Sequence, residues 1–367
     1  MTVSNPTYVI AEIGVNHNGD MAMAKALIHV AANAGANAVK FQTFIAEELA
    51  APDAPKASYQ AANEPDAEGE SQYQMLKRLE LPFADHAPLK ACTEQLGLDF
   101  LSTPFGIKEC RFLQTLGLRQ MKLSSGDLTN APLLAAVARG GSRVILSTGM
   151  ATLDDVTFAL DTLAWCYLRP DTAPHPDRIT GLAMQPEARS VLQKNVSILQ
   201  CTTHYPCPTE MVHLRAMQQL HAHTGLAVGF SDHSPSRWSG GLAVAAGATI
   251  IEKHLTLDTA LPGPDHAASL APHDFTEYVA YIREAERMLG SPEKSLTPEL
   301  HAMARVACKH LIAVRDIKHG EHWQEDTLAT RRTGGAGLPA AHYFRVIFTQ
   351  ALLFYSSGEA VECYCVY

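Results

Sequence analysis

Eight short apolar runs recur along the chain with helix-period segments between them, and this alternation narrows the possible folds more than any other feature. The runs cover residues 8–13, 38–41, 99–101, 120–123, 144–146, 196–200, 227–230 and 249–252. Each is the length of a strand buried on both faces, and the first is followed by a helical stretch from Met21 to Ala34 that stops at Gly35, a C-cap signal. Eight strand–helix alternations over roughly 250 residues predict a closed parallel (β/α)8 barrel of the TIM type, in the α/β class. A doubly wound open sheet is the structural alternative, weakened because no G-x-G-x-x-G follows the first run.

Every run ends in polar residues. Glu12 and Asn16-His17-Asn18 follow the first, and Lys40 with Gln42 closes the second. Ser102-Thr103-Pro104 follows the third, and Lys122 with Ser124-Ser125-Gly126-Asp127 the fourth. Ser147-Thr148-Gly149-Met150, Thr202-Thr203-His204-Tyr205, Ser231-Asp232-His233 and Glu252-Lys253-His254 end the other four. A barrel gathers all of these at the C-terminal mouth, the face where function sits.

His233 and His254 end neighbouring parallel strands and together can hold one metal ion. With no third His or Cys beside them, water, carboxylate and substrate oxygens complete the shell. That mixture suits an exchangeable Mn2+ or Mg2+ better than structural zinc. Asp232 and Glu252 are each either a further ligand or an orienter of a histidine. Lys40 and Lys122 with Ser125, Ser231 and Gly126 form a cationic, hydroxyl-lined cradle for a phosphate or carboxylate. Glu12, Asp127 and Asp265 supply carboxylates for acid–base work or hydroxyl binding.

Three stretches break the rhythm. Residues 47–72 are acidic and rich in Ala and Pro, and read as a loop over the mouth. Residues 165–194 read as an inserted surface excursion. Gly290-Ser291-Pro292 marks the end of the barrel. The expected organisation is a barrel over 1–289, a linker over 290–307 and a small second domain over 308–367. In that domain strands are expected at 311–314, 352–355 and 360–366.

A net charge of −9 leaves no basic surplus to displace counterions from nucleic acid. No apolar run approaches the roughly 20 residues that span a bilayer. Eight cysteines lie scattered without a C-x-x-C pair, and no secretory leader is evident, so a reducing cytoplasm is expected.

The motifs also carry a family resemblance. Ala11-Glu12-Ile13-Gly14-Val15-Asn16-His17-Asn18-Gly19, Val39-Lys40-Phe41-Gln42-Thr43, Ser102-Thr103-Pro104-Phe105 and Lys122-Leu123-Ser124-Ser125-Gly126-Asp127-Leu128 stand in the first half. Ser147-Thr148-Gly149-Met150, Tyr205-Pro206, Gly229-Phe230-Ser231-Asp232-His233, Glu252-Lys253-His254 and Pro262-Gly263-Pro264-Asp265-His266 follow in the second. In this order, over essentially the full length, the chain resembles the sialic acid (nonulosonic acid) synthases, of the N-acetylneuraminate and N,N'-diacetyllegionaminate type. Its C-terminal segment resembles their antifreeze-like (SAF, β-clip) domain.

The resemblance implies condensation of phosphoenolpyruvate with the open-chain aldehyde of an N-acetylmannosamine-type sugar, giving a nine-carbon 2-keto acid and phosphate. It implies a divalent ion on His233 and His254. Phosphoenolpyruvate would lie on Lys40, Thr103, Lys122, Ser125, Thr203 and Ser231, and the sugar on Gln42, Tyr205 and Asp265. Glu12 would stand near the metal-bound water or the aldehyde, with Asp127 as a second catalytic carboxylate. It further implies a homodimer in which the SAF domain caps the partner's site through Arg332, or else Arg331. The family's R-P-G-x-G pattern stands here as Arg332-Thr333-Gly334-Gly335-Ala336-Gly337, and Thr203 replaces a frequent asparagine. No asparagine occupies Gly69-Glu70-Ser71, where neuraminate-making relatives carry one, and the 165–194 stretch resembles legionaminate-type members. Both features tilt the sugar toward a 6-deoxy diacetamido form. Two other readings stand beside this one: a barrel condensing phosphoenolpyruvate with a phosphorylated sugar, and an inactive sugar-binding homologue.

Overall fold

The computed structural model describes residues 6–65, 67 and 69–363. The chain divides into two compact units, residues 1–290 and 291–367. The helix Pro298–Ala307, expected as part of a linker, groups with the second unit.

The first unit holds eight parallel strands: β1 (Tyr8–Gly14), β2 (Ala38–Thr43), β3 (Asp99–Pro104), β4 (Gln120–Leu123), β5 (Arg143–Ser147), β6 (Val196–Gln200), β7 (Ala227–Asp232) and β8 (Ile250–His254). Backbone ladders run in the order β3-β2-β1-β8-β7-β6-β5-β4. β3 and β4 lie side by side at the two ends of that order, so the ring is nearly closed. A helix follows each strand: α1 (Met21–Asn33), α2 (Phe83–Gln95), α3 (Ile107–Thr115), α4 (Ala131–Arg139), α5 (Leu153–Leu168), α6 (Ala216–Thr224), α7 (Ser239–Ala245) and α8 (Pro272–Leu289). This is the barrel architecture the alternation predicts.

The period of two along each strand divides its side chains between two environments. Val9, Ala11 and Ile13 of β1 point outward into the main core under the helices. Ile10 joins Ala38, Leu101, Ile145, Leu199 and Ile250 in a separate apolar layer inside the barrel. Gly229 is required at that level. A Cβ there would meet the Ile250 carbonyl oxygen at 2.4 Å and the Leu199 side chain at 2.6 Å. One step further along each strand, the inward positions become polar.

Two expectations are corrected. Residues 165–194 are no surface excursion: Trp165 lies within α5, and Ile179, Leu182, Ala183, Ala188 and Leu192 join the main core. Asp161 of α5 fixes the segment by accepting from the backbone N–H groups of Gly181 and Ala183, each at 2.7 Å. The sequence misleads here because its prolines open the helices Pro176–Ile179 and Pro186–Asn195, where a missing N–H costs nothing. Residues 47–72 also contain structure, including the helix Ser58–Asn63, whose last residue donates to the Pro264 carbonyl at 2.6 Å.

The second unit has its own core around Leu311, Ile317, Trp323, Leu328, Val346 and Tyr355. β9 (His310–Ala313) pairs antiparallel with β10 (Leu328–Arg331). β10 is not among the expected strands, because only Leu328 of its four residues is buried and it carries no apolar run. The strand expected at 352–355 reduces to one bridge from Tyr355 to Ile317, because Leu353 and Phe354 are exposed. Of the strand expected at 360–366, Ala360 bridges Ile312, and residues 364–366 lie outside the described residues.

Candidate active site

The polar layer at the C-terminal strand ends lines a narrow cavity of about 90 Å³. β1 delivers Glu12, β2 Lys40 and Gln42, β3 Thr103, β7 Ser231, and β8 Glu252 and His254, each two or four residues beyond the apolar layer. Lys122 and Ser125 enter from β4 and the turn after it, His233 from just past β7, and Tyr205 and Asp265 from the loops after β6 and β8. A register shift between Glu12 and Gly14 ends β1, with Gly14 at φ +55°, a conformation glycine adopts without strain.

The lysines and carboxylates form one buried network. Lys40 Nζ stands 2.7 Å from Glu12 Oε2 and 3.7 Å from Glu252 Oε2, and donates to Thr103 Oγ1 at 3.2 Å. Lys122 Nζ lies 3.8 Å from Glu252 Oε1, which accepts from Ser231 Oγ at 2.7 Å. Gln42 Nε2 donates to Glu12 Oε1 at 3.4 Å. Burial would raise the Glu252 carboxyl, but Lys122 and Lys40 together hold it below its ordinary range. Glu12 moves the other way: burial, aided by the neighbouring Glu252 charge, pushes it up despite Lys40. Burial alone would lower Lys40, and Glu12 and Glu252 more than reverse this. For Lys122 burial prevails and the ammonium is lowered. Two carboxylates in one site are thereby pushed apart, the arrangement that separates an ionised group from a proton carrier.

The histidines are buried without such partners. His233 Nδ1 donates to the Thr202 carbonyl at 2.6 Å, which leaves Nε2 with its lone pair. Burial lowers His233 to about 4 and takes His254 well below the ordinary range, the latter helped by its neighbour His233. Their ring centres are 5.5 Å apart. Tyr205 packs at 4.0 Å from the His233 ring and edge-on to His254, and Tyr59 of the Ser58–Asn63 helix stacks on Tyr205 at 4.8 Å. Among the described residues His254 Nδ1 is buried without a hydrogen-bond partner, and the nearest carboxylate oxygen, Asp265 Oδ2, is 4.0 Å away. Asp265 is raised to about 6 by burial.

Neutral rings and an orphaned, buried ring nitrogen fit a divalent ion held by His233 and His254. Among the described residues, no third ligand side chain joins these two. Among the described residues, the one group of three close ligand side chains lies on α8 (His273, Asp274, Glu277), where Arg237 already engages both carboxylates.

Three expected site residues are not among those lining the cavity. Asp127 sits in a 3-10 turn and accepts from the Ser124 Oγ at 2.7 Å and the Asn130 Nδ2 at 3.0 Å; Ser124 lines the cavity, and Asp127 stands one bond behind it. Thr203 is also absent from the lining, and the carbonyl of its neighbour Thr202 holds His233. Arg332 belongs to the second unit, exposed, with Nε donating to the Ala307 carbonyl at 3.1 Å. The sequence reading left the role of Glu252 open, and it did not single out Cys201 or Tyr59. Glu252 and Cys201 follow from the period of two, lying two residues beyond Ile250 and Leu199. A wider concavity, lined by Leu214, Arg215, Ser236 and Leu242 among others, contains none of this buried network.

An eight-stranded barrel with buried lysines, carboxylates and neutral imidazoles meeting at its C-terminal mouth defines the class: a TIM-type barrel with its polar cavity on the catalytic face. The NeuB family model matches residues 27–294, and the chain belongs to that family. It is 37% identical over 356 residues to the N,N'-diacetyllegionaminic acid synthase of Campylobacter jejuni, covering 97% of this chain and 99% of that one. It is equally 37% identical to the enzyme of that name from Legionella pneumophila, covering 96% of this chain and 93% of the other. The crystal structure of an N-acetylneuraminic acid synthetase from Leptospira borgpetersenii in complex with citrate superposes with a TM-score of 0.65 at 28% identity, covering 81% of this chain and 90% of that one.

Proposed function

We propose that this protein is a nonulosonic acid synthase, a transferase that joins phosphoenolpyruvate to the open-chain aldehyde of an N-acyl mannosamine-type sugar. The observation that carries this reading is the meeting, in one buried cavity, of the Lys40–Lys122 pair with the neutral His233–His254 pair. C3 of phosphoenolpyruvate forms the new bond to the aldehyde carbon. Water adds at C2, and C–O cleavage releases phosphate, leaving the 2-keto acid.

Lys40, Lys122, Thr103, Ser125 and Ser231 hold the phosphate and carboxylate, which displace Glu12 and Glu252 as partners of the two ammonium groups. Glu12, raised by burial, exchanges a proton with the aldehyde oxygen or the attacking water. Gln42, Tyr205 and Asp265 orient the sugar hydroxyls and amide. A divalent ion, Mn2+ or Mg2+, on His233 and His254 would supply polarisation of the aldehyde. Asp127, bonded to the cavity-lining Ser124, is kept as the second catalytic carboxylate, and Thr203 as a phosphoenolpyruvate contact.

The favoured sugar is 2,4-diacetamido-2,4,6-trideoxymannose. Two observations support it: the relatives at 37% identity are N,N'-diacetyllegionaminic acid synthases, and no asparagine stands in Gly69-Glu70-Ser71, where Glu70 is tied to Lys56 at 3.1 Å and Arg78 at 3.0 Å. A phosphate-release assay tests both choices. Release should require phosphoenolpyruvate, sugar and divalent metal together, and kcat/KM should be higher with the diacetamido sugar than with N-acetylmannosamine. Full activity after thorough chelation would remove the metal, and equal or better turnover of N-acetylmannosamine would remove the sugar assignment.

The second unit is proposed to be a SAF domain, whose Arg332 reaches the sugar of a partner subunit in a homodimer. Its exposure and its place beside the Gly334-Gly335 turn support this reading. Arg332→Ala should raise the sugar KM and leave that for phosphoenolpyruvate unchanged; an unmoved sugar KM would transfer the role elsewhere. Free cysteines throughout the described residues, and no helix among them long and apolar enough to cross a membrane, support a cytoplasmic setting.

A further inference from the structure

The alternation that sends Ser231, His233, Glu252 and His254 into the barrel sends Asp232 and Lys253 out of it. These two are partners across the β7–β8 ladder, and both are fully buried. Lys253 Nζ lies 3.3 Å from Asp232 Oδ2, donates to the Ser234 carbonyl, and sits 5.5 Å from the centre of the Tyr278 ring. Asp232 Oδ1 accepts from Ser234 N at 2.8 Å and Ser234 Oγ at 2.7 Å. Its Oδ2 accepts from Tyr278 Oη at 2.9 Å and from Ser239 Oγ.

Two charges buried this completely are costly, and an apolar pair of similar volume commonly serves stability as well or better. What an apolar pair cannot do is hold particular backbone atoms. Here the bonds engage residues on both sides of His233, through Asp232 and Ser234, and the residue immediately before His254. The Lys253–Ser234 bond stitches the end of β8 to the chain just after β7.

We propose that Asp232 and Lys253 are positioning residues that set the separation of the His233 and His254 rings for a shared divalent cation. This inference rests on the metal assignment above. The pair touches no substrate and acts through the two histidine-bearing strand ends.

The test is direct binding of Mn2+ to the metal-stripped full-length protein, followed by electron paramagnetic resonance of the free ion, alongside thermal melting. Wild type, Asp232→Asn, Lys253→Met, the double variant and His233→Ala are compared. Each single variant should weaken Mn2+ binding about ten-fold or more. Each should also melt lower, because a charge is left buried and unpaired. The double variant should recover the melting temperature while Mn2+ binding stays weak. At saturating Mn2+ the KM for phosphoenolpyruvate should stay within about two-fold of wild type in the double variant, since Lys40 and Lys122 stand on other strands. Mn2+ binding equal to wild type in the folded double variant, with His233→Ala still abolishing it, would overturn the positioning role alone. Failure of wild type itself to bind Mn2+ would overturn the metal assignment and this inference with it.

Discussion

On one side of the cavity β2 and β4 bury Lys40 and Lys122 against Glu12 and Glu252; on the other, β7 and β8 bury His233 and His254 with, among the described residues, no carboxylate closer than the 4.0 Å from Asp265 to His254. The two halves meet the cost of burial differently. The lysines are compensated by acids, one held ionised and one pushed toward its protonated form. The histidines shed their protons and keep lone pairs. The lysine half therefore exchanges one anion for another, whereas the histidine half presents neutral nitrogen to a cation. A single polar cavity thereby acquires two chemically opposite ends.

Breaking the lysine half should have the largest effect. Lys40→Met removes the group closest to Glu12 and leaves two carboxylates buried against Lys122 alone. Truncating one partner of a buried pair costs about 3–5 kcal/mol. If the same interactions serve phosphoenolpyruvate, kcat/KM for it should fall on the order of 10²–10⁴-fold. Steady-state kinetics over a phosphoenolpyruvate range measure this, and an effect confined to the sugar KM would reverse the assignment of the two halves.

Burial as a neutral ring extends beyond the site, and pH exposes it. His17 is buried and lowered to about 4 by that burial; its Nδ1 accepts from Gly19 N at 2.9 Å. Unfolded, a histidine titrates near 6.5. Between about pH 6.5 and 4 the unfolded chain binds more protons than the folded one, so this contribution is complete above 6.5 and disappears as pH falls toward 4. The shift corresponds to about 3 kcal/mol. His17→Asn retains an acceptor for Gly19 N without a titrating ring. Urea unfolding at pH 7.5, 6 and 5 should show a shallower acid loss in this variant than in wild type, and an unchanged slope would show that His17 does not carry it. Glu252 contributes in the same direction only at lower pH, because its folded carboxyl is depressed.

The sequence displayed the lysine half more fully than the histidine half. Lys40 and Lys122 are conspicuous because a lysine at the end of an apolar run has nowhere dry to go without a partner, and their partners Glu12 and Glu252 lie at equivalent strand ends. His233 and His254 were equally visible, but what surrounds them was not. Tyr59 comes from a loop-borne helix, and the carbonyl of Thr202 is a backbone atom without a residue-type signature. Asp127 is a related case: an acid after Ser-Ser-Gly has the same one-dimensional appearance whether it faces the cavity or bonds to a residue that does, as it does to Ser124. The 165–194 segment misled because prolines that open helices look like prolines that break them. Period-two layering was therefore legible, whereas contacts made by loops and backbone atoms had to await the fold.

The smallest expected effect concerns the loop-borne edge of the histidine half. Tyr59 stacks on Tyr205, which in turn packs on His233, so the 58–63 helix reaches the imidazoles through two aromatic rings. The Asn63 bond to the Pro264 carbonyl holds the same helix beside Asp265. An aromatic pair of this kind contributes about 0.5–1.5 kcal/mol beyond area burial. Tyr59→Ala should therefore raise the sugar KM by roughly two- to ten-fold, with the KM for phosphoenolpyruvate unmoved, since no lysine of the cavity touches this stack. Tyr59→Phe, which keeps the ring and loses only the hydroxyl, should behave as wild type. If Tyr59→Phe were as impaired as Tyr59→Ala, the hydroxyl rather than the stack would be the contribution of this helix, and the histidine half would gain a polar sugar contact from outside the barrel.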